Sequence, residues 1–408
     1  MKLNSGNSFS LATIEDNRRY YDGFYPGFLL LRHALAFLII AVHTRGLVMG
    51  VKHANQFVGQ TAPGVSSFSD FIATLFSSAA FRPLGFALVG AFFAVSGFLV
   101  SGSAIRTGSI RTFLAFRGLR IFPALVSEVT LCALLLGPLT TTVPLSDYFS
   151  DPQFRVYFLN ILGIAHYTLP GVFENNPMPR IINGNLWTLA PEFYCYLIMA
   201  VVMMFGIQNK KRLFGLIIVV LTLGIFANEL TGFLDLPTRA PLVSRFSVWF
   251  VVYMFFVGVV FYLFSHKIIL NFYLFLACVL GYFSLMIIGG FDTISAWLLG
   301  YCAIYVGMID TRWFDRLIRN SDYSYGLYLY GLPIGQLMAL LLVVKFGVPQ
   351  NNGTIILLLT LTIVFTIAFS AVSWTFVERP ALKFKRILAA KRPVERQRED
   401  IAIEASSS

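Results

Sequence analysis

Charge is what this 408-residue chain has little of: only 12% of its residues are Asp, Glu, Lys or Arg, against roughly 25% in an average soluble domain. With 57% hydrophobic residues, that scarcity argues against a soluble core and points to the bilayer. Cysteine is scarce as well. Cys132, Cys195, Cys278 and Cys302 show no CxxC or metal-ligand spacing, so they are read as buried thiols rather than a disulfide framework, a metal site or a nucleophile. Internal repeats and low-complexity tracts are absent. The N-terminus lacks a short apolar run ending in a cleavage site, and no cleaved signal peptide is expected. The net charge of +11 could suggest nucleic acid, but the surplus is spread over loops and a tail. It is an orientation signal, and no nucleic-acid partner is expected.

Long apolar runs are what the chain has instead. Runs long enough to cross about 30 Å of hydrocarbon recur throughout, and place spans near 28–49, 84–103, 119–139, 186–206, 213–230, 246–264, 269–289, 293–309, 324–345 and 354–376. The fold expected is an all-α polytopic membrane protein of about ten transmembrane helices. The stretch 155–166 is apolar but brief, and reads as interfacial or re-entrant. With the N-terminus inside, 21 of the 31 Lys and Arg residues fall on inner segments and 6 on outer ones, so both termini are expected in the cytoplasm. The organisation expected is an N-terminal tail over 1–27, a transmembrane domain over 28–377 and a basic tail over 378–408 that forms a membrane-surface helix. Residues 50–83 and 140–185 are the long outer connections, the second suited to facing a substrate.

Ionisable groups inside these spans cost roughly 2.5–3.5 kcal/mol each on insertion scales and are therefore functional candidates. In "RHALAFLIIAVH", Arg32 and His43 are eleven residues apart, close to three helical turns and a rise of about 16 Å. They share one face, Arg32 near the inner boundary and His43 in the outer half. A snorkelling arginine and a histidine satisfied by a neighbouring helix are the structural alternative. His33 points elsewhere and reads as interfacial. "FRGLRIFPAL" puts Arg117 and Arg120 on one face at the start of the third span. They suit phosphate, since each guanidinium can fork two donors onto phosphate oxygens, though a positive-inside anchor would look the same. Pro123 then falls in the first turn. "GNLWTLAPEFYCYL" brings Glu192 to the level of His43, with Thr188 available as the helix cap. A carboxylate there must pair or stay protonated, and pairing with His43 is the economical expectation. "FFAVSGFLVSGS" carries Ser96 among small residues that pack helices closely or admit a thin ligand chain. "SDYSYGLYLYGLP" sets Ser324 and Tyr325 at the inner end of the ninth span, and "FVERPALKF" places Glu378 beside Arg379, where a local ion pair is the plain reading.

In this order the stretches resemble the membrane-bound acyltransferase-3 family, the bacterial O-acyltransferases of cell-surface polysaccharides, over roughly residues 25 to 385. "RHALAFLIIAVH" looks like the family's Arg-x10-His motif and "RGLR" like its Arg-x-x-Arg motif. "FFAVSGFL", "NLWTLAPEFYCYL", "YSYGLYLY" and "VERP" follow in the family's order. The resemblance implies an acyl-CoA donor, usually acetyl-CoA, taken from the cytoplasm, with no permanently bound cofactor or metal. It implies a glycan or lipid-linked sugar as acceptor and residence in the bacterial inner membrane among its lipids. Two departures stand out. Many relatives have a histidine where this chain has Gly331, and some carry a fused C-terminal SGNH hydrolase-type domain that this chain lacks, so it is expected to transfer acyl groups itself or pass them to a separate partner.

The expected mechanism holds the phosphates of acetyl-CoA on Arg117 and Arg120, with Arg32, Ser96, Ser324 and Tyr325 also on the donor path. His43 acts as general base on a sugar hydroxyl and Glu192 orients its ring. An acetyl-histidine intermediate is the two-step variant. The reading from a different class is a transporter or flippase using Arg32, His43 and Glu192 as a proton relay without chemistry, and a further one is acyl transfer with another donor or acceptor. Acceptor identity, acyl length and oligomeric state are not legible in the residues.

Overall fold

A computed structural model describes residues 12–21, 25, 27–50, 82–231, 248–288, 292–318 and 321–390. Most of the expected outer connection 50–83 lies outside these residues. The fold is all-helical, and among the described residues the strand-like pairings are two isolated bridges, Thr13 with Ile269 and Thr141 with Val172. Among the described residues, ten apolar helices form the body: α1 (Phe28–Met49), α2 (Arg82–Thr107), α3 (Ile110–Leu131), α4 (Leu189–Met204), α5 (Lys211–Thr231), α6 (Val248–Leu263), α7 (Phe272–Ile288), α8 (Asp292–Gly307), α9 (Ser324–Ala339) and α10 (Asn352–Ser373). An eleventh, α11 (Arg379–Ala390), follows α10. Among the described residues, seven helical stretches are long and apolar enough to cross a membrane, with α6 and α7 shorter apolar helices. The chain is a multi-pass membrane protein. Against ten expected spans, α6, α7 and α8 are 16, 17 and 16 residues long, a little under the ~20 residues that a perpendicular crossing needs.

Two sequence expectations about helix starts need correction. The third span does not begin near residue 119: α3 starts at Ile110, capped by Ser109, so Arg117 and Arg120 sit two to three turns inside it and Pro123 lies mid-helix. Hydropathy detects only the apolar part of a helix, and "IRTFLAFRGLR" is too polar to register. Nor does Thr188 cap α4. It is already helical and makes no cap hydrogen bond, while Asn183 caps the preceding 3₁₀ turn, Gly184–Thr188.

Close packing organises the bundle around α2. A Cβ on Gly97 would overlap the Phe255 carbonyl, and one on Gly258 would overlap the Ala94 carbonyl, so α2 and α6 approach backbone to backbone as small-residue membrane interfaces do. On α9, Gly326 faces Ser370, Gly335 faces Leu47 and Thr362, and a Cβ on Gly331 would stand 2.7 Å from Ile40. The departure from the family at Gly331 is thus a close contact between α9 and α1. Three spans end in π-helical turns: Cys132–Leu136 after α3, Leu340–Lys345 after α9 and Trp374–Glu378 between α10 and α11.

The two ends of the bundle are closed differently. At the end where α1 begins, a short capped helix, Ile14–Tyr20, is tied to the α6–α7 connection by Ile14 N–H to Ile268 O at 3.0 Å and Leu270 N–H to Ala12 O at 2.8 Å. Part of the expected tail is therefore docked. At the other end the connection 140–185 folds over the helices through short helices at Leu145–Ser150 and Pro152–Tyr157 and a 3₁₀ turn at Phe158–Leu162. This matches a segment that does not span. Gln336 of α9 pins it: its Nε2 donates to the Met178 and Ile181 carbonyls at 2.8 and 2.6 Å, and its Oε1 accepts from Asn176 at 2.7 Å.

Candidate functional site

A cavity of about 350 Å³ opens among α1, α2, α3, α4, α9 and α11, at the lower end of the usual range for ligand pockets, about 300–1,000 Å³. Arg32, Ser96, Arg117, Arg120, Glu192, Ser324 and Tyr325 all line it. These expected site residues, scattered over five helices and nearly 300 positions, therefore meet in one place. The walls between them are apolar, with Ile39, Phe92, Phe93, Leu99 and Ile121. His43 does not line the cavity, while Ile39, one helical turn nearer Arg32, does.

One carboxylate organises the charged end. Asp322, just before α9, takes a hydrogen bond from Arg32 at 2.7 Å and one from Arg120 at 2.8 Å, both on Oδ2, while its Oδ1 accepts from the Ser324 hydroxyl at 2.6 Å. Burial alone would raise the Asp322 carboxyl, but Arg120 and Arg32 outweigh it and hold the group well below the usual carboxylate range. Arg120 also faces Glu378 at 3.6 Å and lies over the Tyr325 ring at 5.7 Å. The expected Glu378–Arg379 pair is thereby corrected: Glu378 is 2% exposed and points inward, Arg379 outward, because neighbouring residues on a helix diverge by about 100°. His33, expected at the interface, is likewise buried, with Nδ1 against Leu29 O at 2.7 Å.

Arg117 takes different partners from Arg120. One N–H goes to the Ser103 hydroxyl at 3.3 Å, and the guanidinium lies 6.0 and 5.9 Å from the Phe113 and Tyr196 rings. Ser96 hydrogen-bonds the Tyr196 hydroxyl, which donates to Glu192 Oε1 at 2.6 Å. Glu192 is thus held from its own helix, one turn along, instead of by His43.

The partner of His43 is Asn185. Asn185 Nδ2 donates to the Tyr328 carbonyl at 2.9 Å with one of its two hydrogens, and its Oδ1 is an acceptor suited to an imidazole N–H. Two turns separate Asn185 from Glu192 along the chain, so a side chain level with one does not reach the other. Beside this pair stand Thr188 and Tyr328, both of which line the cavity; their hydroxyls meet at 2.7 Å and both lie within hydrogen-bond distance of the Asn185 carbonyl, so that one donates to the carbonyl and the other to its neighbour's oxygen.

Sequence reasoning missed five polar residues here. Asp322 lies inside the quoted "SDYSYG", and its signal was a carboxylate two residues before a span that starts beside arginines. Asn183 and Asn185 stand in "NGNLW". Lys385 was counted only as part of a basic tail. Glu128, 0% exposed in α3, accepts from Asn183 at 2.8 Å and from Cys132 at 3.3 Å; an apolar-run search passes over a single acid. The four cysteines are free.

Residues 26–375 match the family described as "Acyltransferase domain". The chain is 27% identical over 344 residues to "Nodulation protein 10" of Rhizobium leguminosarum bv. viciae, covering 74% of this chain and 84% of that protein. It is 29% identical over 307 residues to an "O-acetyl transferase" of Shigella phage Sf6, covering 73% and 85%. No solved structure matches it.

Proposed function

The chain belongs to the acyltransferase family matched over residues 26–375 and is a membrane O-acyltransferase; from that premise we propose that it moves an acetyl group from acetyl-CoA to a hydroxyl of a cell-surface or periplasmic glycan. The protein sits in the bacterial inner membrane with the Arg32 end and both termini in the cytoplasm. The donor enters at that end, its phosphates at the cationic mouth and its pantetheine arm along the apolar walls past Ser96. The observation that carries the reading is the convergence of Arg32, Ser96, Arg117, Arg120, Glu192, Ser324 and Tyr325 on one cavity; His43 stands further along α1, a rise of about 16 Å from Arg32.

His43 is the general base. The acceptor oxygen attacks the thioester carbonyl as its proton passes to the imidazole nitrogen that does not face Asn185; the C–S bond then breaks, and the imidazolium returns that proton to the departing sulfur to release CoA. Asn185 holds the ring as the third group does in a Cys-His-Asn triad. Its own orientation is set by the Tyr328 carbonyl. The acyl end reaches His43 by passing the Thr188–Tyr328 pair. Glu192, bonded to Tyr196, belongs to the donor cavity.

The test is transfer of radiolabelled acetyl from acetyl-CoA by the purified protein in liposomes to a periplasmic glycan extract. Wild type labels glycan, and His43→Ala at equal protein level loses about 10²–10⁴-fold. Wild-type turnover in His43→Ala would end the role of His43, and no consumption of acetyl-CoA by wild type would end the donor assignment.

A further inference from the structure

Four cations reach the cavity, Arg32, Arg117, Arg120 and Lys385, and the structure divides them into two kinds. Arg32 and Arg120 are already neutralised by Asp322 at 2.7 and 2.8 Å, with Glu378 3.6 Å from Arg120. Arg117 and Lys385 are not. Among the described residues neither has a carboxylate within ion-pairing distance. Arg117 has a buried Nε without a hydrogen-bond partner. Lys385, on α11, lies 5.7 Å over the Phe116 ring of α3, and both it and Arg117 line the cavity. The pair expected from sequence to hold phosphate, Arg117 with Arg120, is thus split: one member is occupied, and the uncompensated partner of the other comes from a different helix.

We infer that Arg117 and Lys385 form the anion clamp of the donor cavity, closing on the phosphates of the donor nucleotide, and that α11 is a wall of that binding site. The inference rests on the donor reading above. Two like charges beside a half-buried cavity repel each other and lose hydration, and a dianion between them reverses both effects. The chemistries complement each other, since guanidinium forks onto two oxygens while the ammonium supplies a mobile point charge. With Glu378 beside Arg120, the Arg32–Asp322–Arg120–Glu378 group pairs two cations with two carboxylates and is a brace with no net need of an anion. The phosphate of an anionic lipid headgroup shares the required chemistry, so the experiment separates the two sources.

Binding of CoA, pantetheine and inorganic pyrophosphate is measured on the full-length protein in phosphatidylcholine nanodiscs, with and without phosphatidylglycerol, for wild type and for Lys385→Ala, Lys385→Glu and Lys385→Arg. Unfolding temperatures confirm that each variant folds, and Lys385→Arg keeps the charge should the others fail. Lys385→Ala is expected to weaken CoA about tenfold, Lys385→Glu further, Lys385→Arg little, and the loss is confined to probes that carry phosphate. Wild-type CoA affinity in a folded Lys385→Ala or Lys385→Glu variant overturns the clamp, as does equal weakening of pantetheine. If wild type ignores CoA but binds pyrophosphate and loses it in Lys385→Glu, the donor reading fails and the clamp stands. If wild type binds neither, the clamp is overturned. If phosphatidylglycerol displaces CoA from wild type and the displacement disappears in Lys385→Ala, the clamp is a headgroup site and its assignment to the nucleotide is overturned.

Discussion

Asp322 offers a direct test of the brace at the charged end. Its Oδ2 is shared by Arg32 and Arg120, with side chains 19%, 22% and 15% exposed, so Asp322→Asn leaves two guanidiniums facing a neutral amide in a mostly dry site. Breaking a buried ion pair by removing one partner costs about 3–5 kcal/mol. The lower end, about 3 kcal/mol, applies here because the carboxylate is one-fifth exposed and Arg120 keeps Glu378 at 3.6 Å. That is on the order of a hundredfold in the unfolding equilibrium. Arg32→Met in the wild-type background should also destabilise, but added to Asp322→Asn it removes a charge that has lost its partner. The double variant should therefore fall short of the summed losses by about 2 kcal/mol. The assay is reversible unfolding in mixed micelles followed by the fluorescence of the five tryptophans. The same cycle carries a pH signature. A carboxyl held low by its partners contributes stability in full above the unfolded value near 4, and loses it as pH falls toward the folded value. The gap between wild type and Asp322→Asn should stay constant from about pH 5 upward and narrow below about pH 4. Additive losses in the cycle, or an Asn variant as stable as wild type at neutral pH, would refute the shared-carboxylate account.

Two further outcomes follow from residues that the sequence did not advertise. Asn185→Ala frees the His43 ring, and transfer should fall by about 10²-fold through misorientation with donor affinity unchanged; a fall in donor affinity instead would move Asn185 into the cavity's own machinery. Gln336→Leu strands the Met178 and Ile181 carbonyls at roughly 1–3 kcal/mol apiece, and limited proteolysis should then cut within 140–183 at a protease level that leaves wild type intact.

The apolar helices were legible in the sequence because lipid demands long uninterrupted hydrophobic runs, and Arg32, Arg120 and Glu192 were legible because each is an anomaly in such a run. Arg117 showed by its spacing from Arg120, and Ser96 only as one of several small residues. Their partners were not legible. Arg32 and Asp322 are 290 positions apart, and no local periodicity says that α9 will start beside α1. The choice between Glu192 and Asn185 for His43 turned on two helical turns of height, which depend on where the 3₁₀ turn before α4 hands over to α-helix. The early start of α3 escaped notice because its first two turns are polar. Lys385 was hidden for a similar reason: in a tail rich in Lys and Arg, one inward-facing lysine looks like the rest.

The π turn at Trp374–Glu378 makes the site depend on a count as well as on identities. A wide turn of this kind takes in one residue beyond the α-helical register, and each residue rotates everything after it by about 100°. Deleting any one of residues 374–377 would leave every charged side chain in the chain, yet swing α11 by more than a quarter revolution and carry Lys385 away from Arg117. Insertions and deletions there, more than substitutions, are the changes by which relatives of this chain could gain or lose a second cation at the mouth.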